Sequence, residues 1–330
     1  MFTTELLYPI RGRVIFKYVG QLSQVLALFV AVPTVVSAMI GSLAFTLTSG
    51  IVAAVLGLVG WYLGRIHISS KIQQNEALVI VSLTFLVAAL AMTFPMIASG
   101  LAPVDAFFES VSGVTTTGLS VGSPVVKQSV MFHFTRAWMQ WFGGLGIVIF
   151  SLAFVILPGV DARRMSTASS GDKRFDMVGG TKMHANRVLV VYFSLSVLGL
   201  IALLLTGTSF FDSMIHMLSS VSTGGFSTTN QSIGGLPSVA GQVVALALGF
   251  LGAIPFALYY LSGKKKSLKR LAQDPEIKIF IAVLAGSSLL LIFILYMNGG
   301  LSWSRSLSHG AALAVSAQTT TGYSTLEVSS

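Results

Sequence analysis

A chain of 330 residues that is 54% hydrophobic and only 9% charged cannot clothe a water-facing surface, for which roughly 25% charged residues is usual. Its net charge of +9 does not point to nucleic acid, because Lys and Arg fall in separate blocks and not in a basic stripe interleaved with aromatics. The lack of cysteine removes disulfides, thiolate metal sites and cysteine nucleophiles together, and the five histidines form no HxxxH or HExxH pair.

A helix needs about 20 apolar residues to cross a hydrocarbon core ~30 Å thick. Segments of that kind run over 19–46, 48–66, 77–97, 131–157, 187–207, 238–262 and 277–298. The first is too long for the core of a cleavable leader and lacks a small-residue cleavage site. Pro33 is expected to kink it, and Pro255 to bend the sixth span, because proline removes one helical hydrogen bond. Three further apolar segments, 103–114, 210–221 and 303–317, are too short to cross. Twelve helical residues reach only about 18 Å. An interfacial helix is the lesser reading of any one of them alone, and each is followed by Thr, Ser and Gly, with the order span, short helix, Thr/Gly turn, span recurring. They read as re-entrant helices.

The basic residues agree. Arg11, Arg13 and Lys17 form one block, and Arg65 and Lys71 a second. A third holds Arg163, Arg164, Lys173, Arg174, Lys182 and Arg187, and a fourth Lys264, Lys265, Lys266, Lys269, Arg270 and Lys278. A cytoplasmic N-terminus places all four inside and the short helices outside, as the positive-inside rule requires. Only Lys127 and Arg305 fall clearly on the outer side, with Arg136 near the outer end of a span.

The turns after the short helices share a register. They read Val114-Thr115-Thr116-Thr117-Gly118-Leu119-Ser120, Val221-Ser222-Thr223-Gly224-Gly225-Phe226-Ser227 and Gln318-Thr319-Thr320-Thr321-Gly322-Tyr323-Ser324. Gly118, Gly225 and Gly322 lie 107 and 97 residues apart. A serine stands six before each (Ser112, Ser219, Ser316) and two after (Ser120, Ser227, Ser324), while Asp105, Asp212 and His309 stand thirteen before. Asp105 and Asp212 are placed to cap the N–H groups at their helix starts. For the third helix a start near Ser302 or Ser304 is an alternative. The carbonyl end of each short helix favours a cation. Beyond it, glycine permits the positive φ that a chain needs to turn its carbonyl oxygens toward a dehydrated ion, and Thr or Ser hydroxyls add oxygens. The candidate ion-binding residues are therefore Thr115, Thr116, Thr117 and Gly118; Ser222, Thr223, Gly224 and Gly225; and Thr319, Thr320, Thr321 and Gly322.

These motifs resemble the Trk/Ktr/HKT superfamily of potassium transporters. The run Phe108 to Gly118 looks like that family's first filter, and Arg136-Ala137-Trp138-Met139-Gln140-Trp141-Phe142-Gly143-Gly144-Leu145-Gly146 is similar to the start of its following span. Ser222-Thr223-Gly224-Gly225-Phe226 resembles the second filter, and the extra pair of spans before the first unit points to the Trk branch. The resemblance implies an all-α integral membrane protein of repeated span–pore helix–span units with re-entrant selectivity-filter loops. It implies K⁺ uptake across the bacterial inner membrane, with K⁺ as transported ion, no further cofactor and no enzymatic activity.

The expected organisation is an N-terminal helix pair (1–76), a first pore unit (77–160), a cytoplasmic loop (161–186), a second pore unit (187–263), a loop (264–276) and an incomplete third unit (277–330). The family pattern continues with a fourth unit, an intramembrane gating loop and a basic residue near the pore, so a chain ending at Ser330 is expected to be C-terminally truncated. Expected partners are the lipid bilayer, a second copy in a homodimer and a cytoplasmic nucleotide-binding regulatory subunit (TrkA-like). Three other readings stand beside uptake. A Na⁺-permeable or poorly selective transporter and a non-conducting fragment remain open; a membrane-embedded enzyme is disfavoured because the intramembrane ionisable groups are few and lie in different units.

Individual residues carry open readings. Glu109 serves either to draw cations to the outer mouth or to bond a neighbouring loop; His216, at the matching position of the second unit, reads as a satisfied packing histidine. Gly143, Gly144 and Gly146 read as close helix packing in preference to a hinge. If Gly225 belongs to an ion filter, Gly225→Ser should weaken K⁺ over Na⁺ discrimination in competitive uptake, and an unchanged ion preference would count against the filter assignment.

Overall fold

The computed structural model describes residues 9–68, 72–121, 128–156, 177–256, 258–259, 273–298 and 300–326. Lys71, Lys127, Arg163, Arg164, Lys173, Arg174, Lys264, Lys265, Lys266, Lys269 and Arg270 lie outside the described residues, and with them most of the expected loops at 161–186 and 264–276; the side chain of Lys182 does too. All regular structure among the described residues is helical. In chain order the helices are α1 (Gly12–Ile40), α2 (Leu43–Gly64), α3 (Gln74–Ala98), α4 (Pro103–Val114), α5 (Val130–Ile156), α6 (Met177–Leu205), α7 (Phe210–Val221), α8 (Val239–Ala253), α9 (Pro275–Asn298) and α10 (Trp303–Gln318). Among the described residues five stretches are long and apolar enough to cross a membrane: Gly12–Ile40, Leu43–Gly64, Asn75–Ala98, Ala185–Leu205 and Pro275–Asn298. The chain is a multi-pass membrane protein.

The described chain divides into two compact units, Met1–Thr115 with Gly146–Ala185, and Thr116–Leu145 with Asn186–Ser330. In the first, α1 and α2 form a helical hairpin on which α3 packs, and α4 packs on α3. The hairpin turn corrects the expected first span of 19–46. Gly41, at φ 83°, ends α1, with its N–H donating to Ala38 O and that of Ser42 to Ser37 O. A left-handed residue closing the last turn in this way is the usual glycine stop signal, hidden here inside an unbroken apolar run. Pro33 lies buried within α1, which continues through it.

Along the hairpin the backbones meet at glycines. A β-carbon on Gly20 would stand 2.5 Å from Leu63 Cβ, and one on Gly60 2.7 Å from Gly20 O. The close approach lets Gln24 Nε2 donate to Gly60 O at 3.0 Å. Where polar heads are unavailable to an apolar face, small residues and interhelical hydrogen bonds supply the association.

The ends of this unit are tied by charge. Arg11, immediately before α1, grips Glu76 in the first turn of α3 through Nε (2.6 Å) and Nη2 (2.8 Å), and its backbone N–H donates to the same carboxylate at 3.2 Å. Glu76 also accepts from Gln73 N at 2.9 Å, closing the first turn of α3. The side chain of Glu76 is wholly buried while that of Arg11 is one-third exposed, at 34%.

In the second unit α7 packs on α8, α8 on α10, and α10 on α9. Tyr192 of α6 is buried and donates to Trp141 O at 2.8 Å, while Trp141 Nε1 donates to Ser196 Oγ at 3.0 Å. A β-carbon on Gly144 would lie 2.9 Å from Ser222 Cβ and 3.2 Å from Tyr192 Oη, so this glycine serves close packing.

The sixth expected span, 238–262, is broken where a bend was expected. α8 stops at Ala253 and Ile254 is extended (φ −73°, ψ 131°), the conformation a following proline imposes. The carbonyl that Pro255 cannot serve is that of Leu251, four residues back, and Tyr259 Oη donates to it at 2.6 Å. An orphan group in apolar surroundings is thereby satisfied from the far side of the break.

Removing either partner of the Arg11–Glu76 pair should destabilise the first unit, because the charge left behind loses its bidentate partner. Thermal unfolding of Glu76→Ala and Arg11→Ala in detergent checks this, and both should melt lower than Lys17→Ala.

Candidate ion-binding turns

Three half-length or slightly longer helices lead into the candidate turns. α4 and α7 have 12 residues each and α10 has 16. The capping expectation is corrected in the first two. Pro103 opens α4, pre-set for the first helical position, and its N-cap Ala102 makes no side-chain cap; Asp105 lies in the first turn, where its charge suits the helix dipole. In α7 the cap is Ser209, not Asp212: Ser209 Oγ accepts from Asp212 N at 3.1 Å and donates to Asp212 Oδ2 at 2.7 Å. α10 begins at Trp303 after N-cap Ser302, one of the two starts that the serines suggested, so His309 falls in its second turn.

At their far ends the three helices stop alike. Thr115, Ser222 and Thr319 close them with φ,ψ of −88°,4°, −83°,−2° and −85°,−3°. The next residue is left-handed in every case: Thr116 (φ 56°), Thr223 (54°) and Thr320 (60°). Two residues on, Gly118 (78°), Gly225 (79°) and Gly322 (68°) are left-handed again. Positive φ is uncommon outside glycine and strained for a β-branched side chain, at about 1–3 kcal/mol each. Its recurrence at one register position in three separate turns marks a shared backbone requirement.

That requirement is visible in the hydrogen bonds. After α7, Thr223 N donates to Ser220 O (2.9 Å), and Gly224 N and Gly225 N to Ser219 O (2.8 and 3.4 Å). After α10, Thr320 N donates to Ala317 O (3.1 Å) and Gly322 N to Ser316 O (3.4 Å). In these two turns the serine six before the glycine, Ser219 or Ser316, is thus an acceptor for the turn. Because the peptide unit is planar and trans, a carbonyl points opposite to the N–H that follows it. The carbonyls of Ser222, Thr223, Gly224, Thr319 and Thr321 are therefore turned away from their own helices. The hydroxyls of Thr115, Ser222 and Thr319 each donate to the carbonyl four residues back, at 2.7, 2.8 and 2.8 Å.

The turns also meet one another. A β-carbon on Gly118 would strike the carbonyl oxygen of Gly224, and one on Gly225 that of Thr321. The first turn thus leans on the second and the second on the third, glycine against the carbonyl one residue earlier in the register. Past the second turn, the short 3₁₀ segment Ser232–Gly235 docks on the residues leaving the third, through Gly234 N to Ser324 O (3.1 Å) and Ser324 N to Ser232 Oγ (3.2 Å).

α7 and α10 hold the segments leaving their turns by a repeated contact. Asp212 accepts from Thr228 Oγ1 at 2.7 Å, and His309 Nδ1 bonds Thr325 Oγ1 at 2.8 Å; both threonines stand three after their glycine. His216 is buried with Nδ1 on Asp212 O (2.8 Å) and Nε2 on Ser227 Oγ (3.0 Å), the satisfied histidine expected from its position. Glu109 is buried within α4.

Sequence reasoning missed Gln140. Its amide donates from Nε2 to Gly224 O at 2.6 Å and accepts at Oε1 from Phe226 N at 3.1 Å, bracketing Gly225. The available signal was an uncharged amide within a membrane span, which must find a partner.

The described helices are those of a multi-pass membrane protein. Residues 41–330 match the TrkH family model, described as cation transport protein, and the chain belongs to that family. It is 29% identical over 329 residues to the Trk system potassium uptake protein TrkH of Halomonas elongata, covering 96% of this chain and 67% of that protein. To TrkI of the same organism it is 30% identical over 318 residues, covering 94% and 63%. The crystal structure of the potassium transporter TrkH from Vibrio parahaemolyticus superposes with a TM-score of 0.81 at 26% identity, covering 96% of this chain and 66% of that one. The chain spans about two-thirds of the length of these relatives.

Crowding and backbone conformation can be separated at the glycines. Gly41→Ala, at φ 83° with open space around it, should cost about 1–2 kcal/mol from the left-handed penalty alone. Gly118→Ala and Gly225→Ala meet a carbonyl as well, which adds about 1–3 kcal/mol. Melting of the three variants in detergent should rank them accordingly.

Proposed function

We propose that this protein takes up K⁺ across the bacterial inner membrane, and that Thr115 to Gly118, Ser222 to Gly225 and Thr319 to Gly322 line the ion path. The observation that carries this reading is the left-handed pattern shared by the three turns, which meet glycine against carbonyl, with the carbonyls of the second and third turned off their helices. Carbonyl oxygens so fixed replace the water shell of a cation. In the second turn Gly224 O already accepts from Gln140, so Ser222 and Thr223 are the freer oxygens there.

The rest of the reading follows from this. Segments 77–160, 187–263 and 277–330 are the pore units, preceded by the helix pair within 1–76 and joined by cytoplasmic loops at 161–186 and 264–276. The N-terminus is cytoplasmic, the transported ion is the only small molecule required, and no chemical transformation takes place. The family relationship supports a homodimer and a nucleotide-binding regulatory subunit (TrkA-like) on the cytoplasmic face.

A bacterium lacking its own K⁺ uptake, expressing this protein, should regain growth at limiting K⁺, and Gly118→Ala should abolish the gain without loss of protein from the membrane. Equal uptake of Na⁺ would replace the reading with a poorly selective cation path. Absence of uptake of either ion, with the protein in the membrane, would overturn it.

A further inference from the structure

Arg136 has no role in the ion-binding turns themselves, yet it is buried to 2% exposure on the helix that follows the first turn. Withdrawing a guanidinium from water is costly unless its surroundings return the loss. Here Nη2 donates to Ser120 Oγ at 2.8 Å, and the guanidinium carbon sits 3.7 Å from the ring centre of Phe226 and 4.7 Å from that of Phe132. Ser120 leaves the first turn, two residues after Gly118; Phe226 leaves the second, one residue after Gly225. One side chain therefore holds the exits of two turns.

Gln140 lies one helical turn further along α5, on the same face as Arg136. It holds the second turn from both sides of Gly225 and comes within 3.7 Å of the β-carbon position of Gly118. Between these rungs the first and second turns press glycine against carbonyl. The two side chains form a ladder from one helix to two turns.

We propose that Arg136 and Gln140 are specificity-determining positioning residues, a two-rung brace that fixes the spacing of the first and second turns. The inference rests on the K⁺ reading above. Preference between similar cations depends on how firmly the oxygens are held as well as on their number. A lysine at 136 keeps the charge but cannot bond Ser120 and lie flat on Phe226 together, because an ammonium lacks the planar fork. A leucine at 140 fills space but leaves Gly224 O and Phe226 N without their side-chain partner.

The test is uptake of K⁺ and Na⁺ in competition by cells expressing the unaltered protein, Arg136→Lys, Gln140→Leu, the double variant and Ser120→Ala, normalised to membrane protein. Each of the first two should lower the K⁺/Na⁺ ratio about tenfold, the value of one lost charge-assisted or buried hydrogen bond. The double variant should fall short of the product, since both rungs hold the same pair of turns. A fall in total uptake with an unchanged ratio would make the residues merely structural and overturn the brace. If the variants at 136 and 140 fail to reach the membrane, Ser120→Ala decides: a ratio lowered about threefold supports the brace, and an unchanged ratio overturns it. Failure of the unaltered protein to carry K⁺ removes the K⁺ reading and the brace together, whereas normal uptake with unaltered ratios in all variants removes the brace alone.

Discussion

A helix that ends within an apolar surround has to satisfy its last carbonyls without water. In this chain α7 and α10 solve that by folding the next residues back, so that N–H groups from Thr223, Gly224 and Gly225, and from Thr320 and Gly322, land on those carbonyls. Peptide planarity then dictates the rest. Each N–H spent inward sends a carbonyl outward, and a helix-capping problem becomes a surface of oxygens. The left-handed threonines at 116, 223 and 320 are the strain this solution carries.

Strain of that kind persists only where neighbours over-determine it. Asp212 with Thr228, and His309 with Thr325, tie α7 and α10 to the residues beyond their turns at the same register. His216 adds a tie to Ser227, and the Ser232–Gly235 segment links the second turn's exit to the third's.

The first unit uses a different economy. Its hairpin interior relies on glycines at 20 and 60 and one amide at Gln24, whereas the charged contact, Arg11 with Glu76, sits at the helix ends. Placing the ionic grip there spares it the desolvation that mid-span burial would impose. The same logic recurs at Pro255, where the orphaned Leu251 carbonyl is met by the hydroxyl of Tyr259 and not by a charge.

Much of this was written in the sequence. Apolar length separated spanning from half-length helices, and α4 and α7 fall on the residues that length alone selected. The register of Gly118, Gly225 and Gly322 with flanking serines marked the three turns, because only glycine takes positive φ freely and that need leaves a trace in residue type. The left-handed threonines left no such trace, since nothing about a threonine announces that its neighbours will force it. Gln140, a lone amide in an apolar span, named no partner, and Ser209 was passed over for the more obvious Asp212. The glycine stop at Gly41 vanished inside a hydrophobic run. Local chemistry and period are properties of a segment and can be read from it; which carbonyl an amide reaches across 84 residues, and which glycine lies against which oxygen, are decided only when separate helices pack.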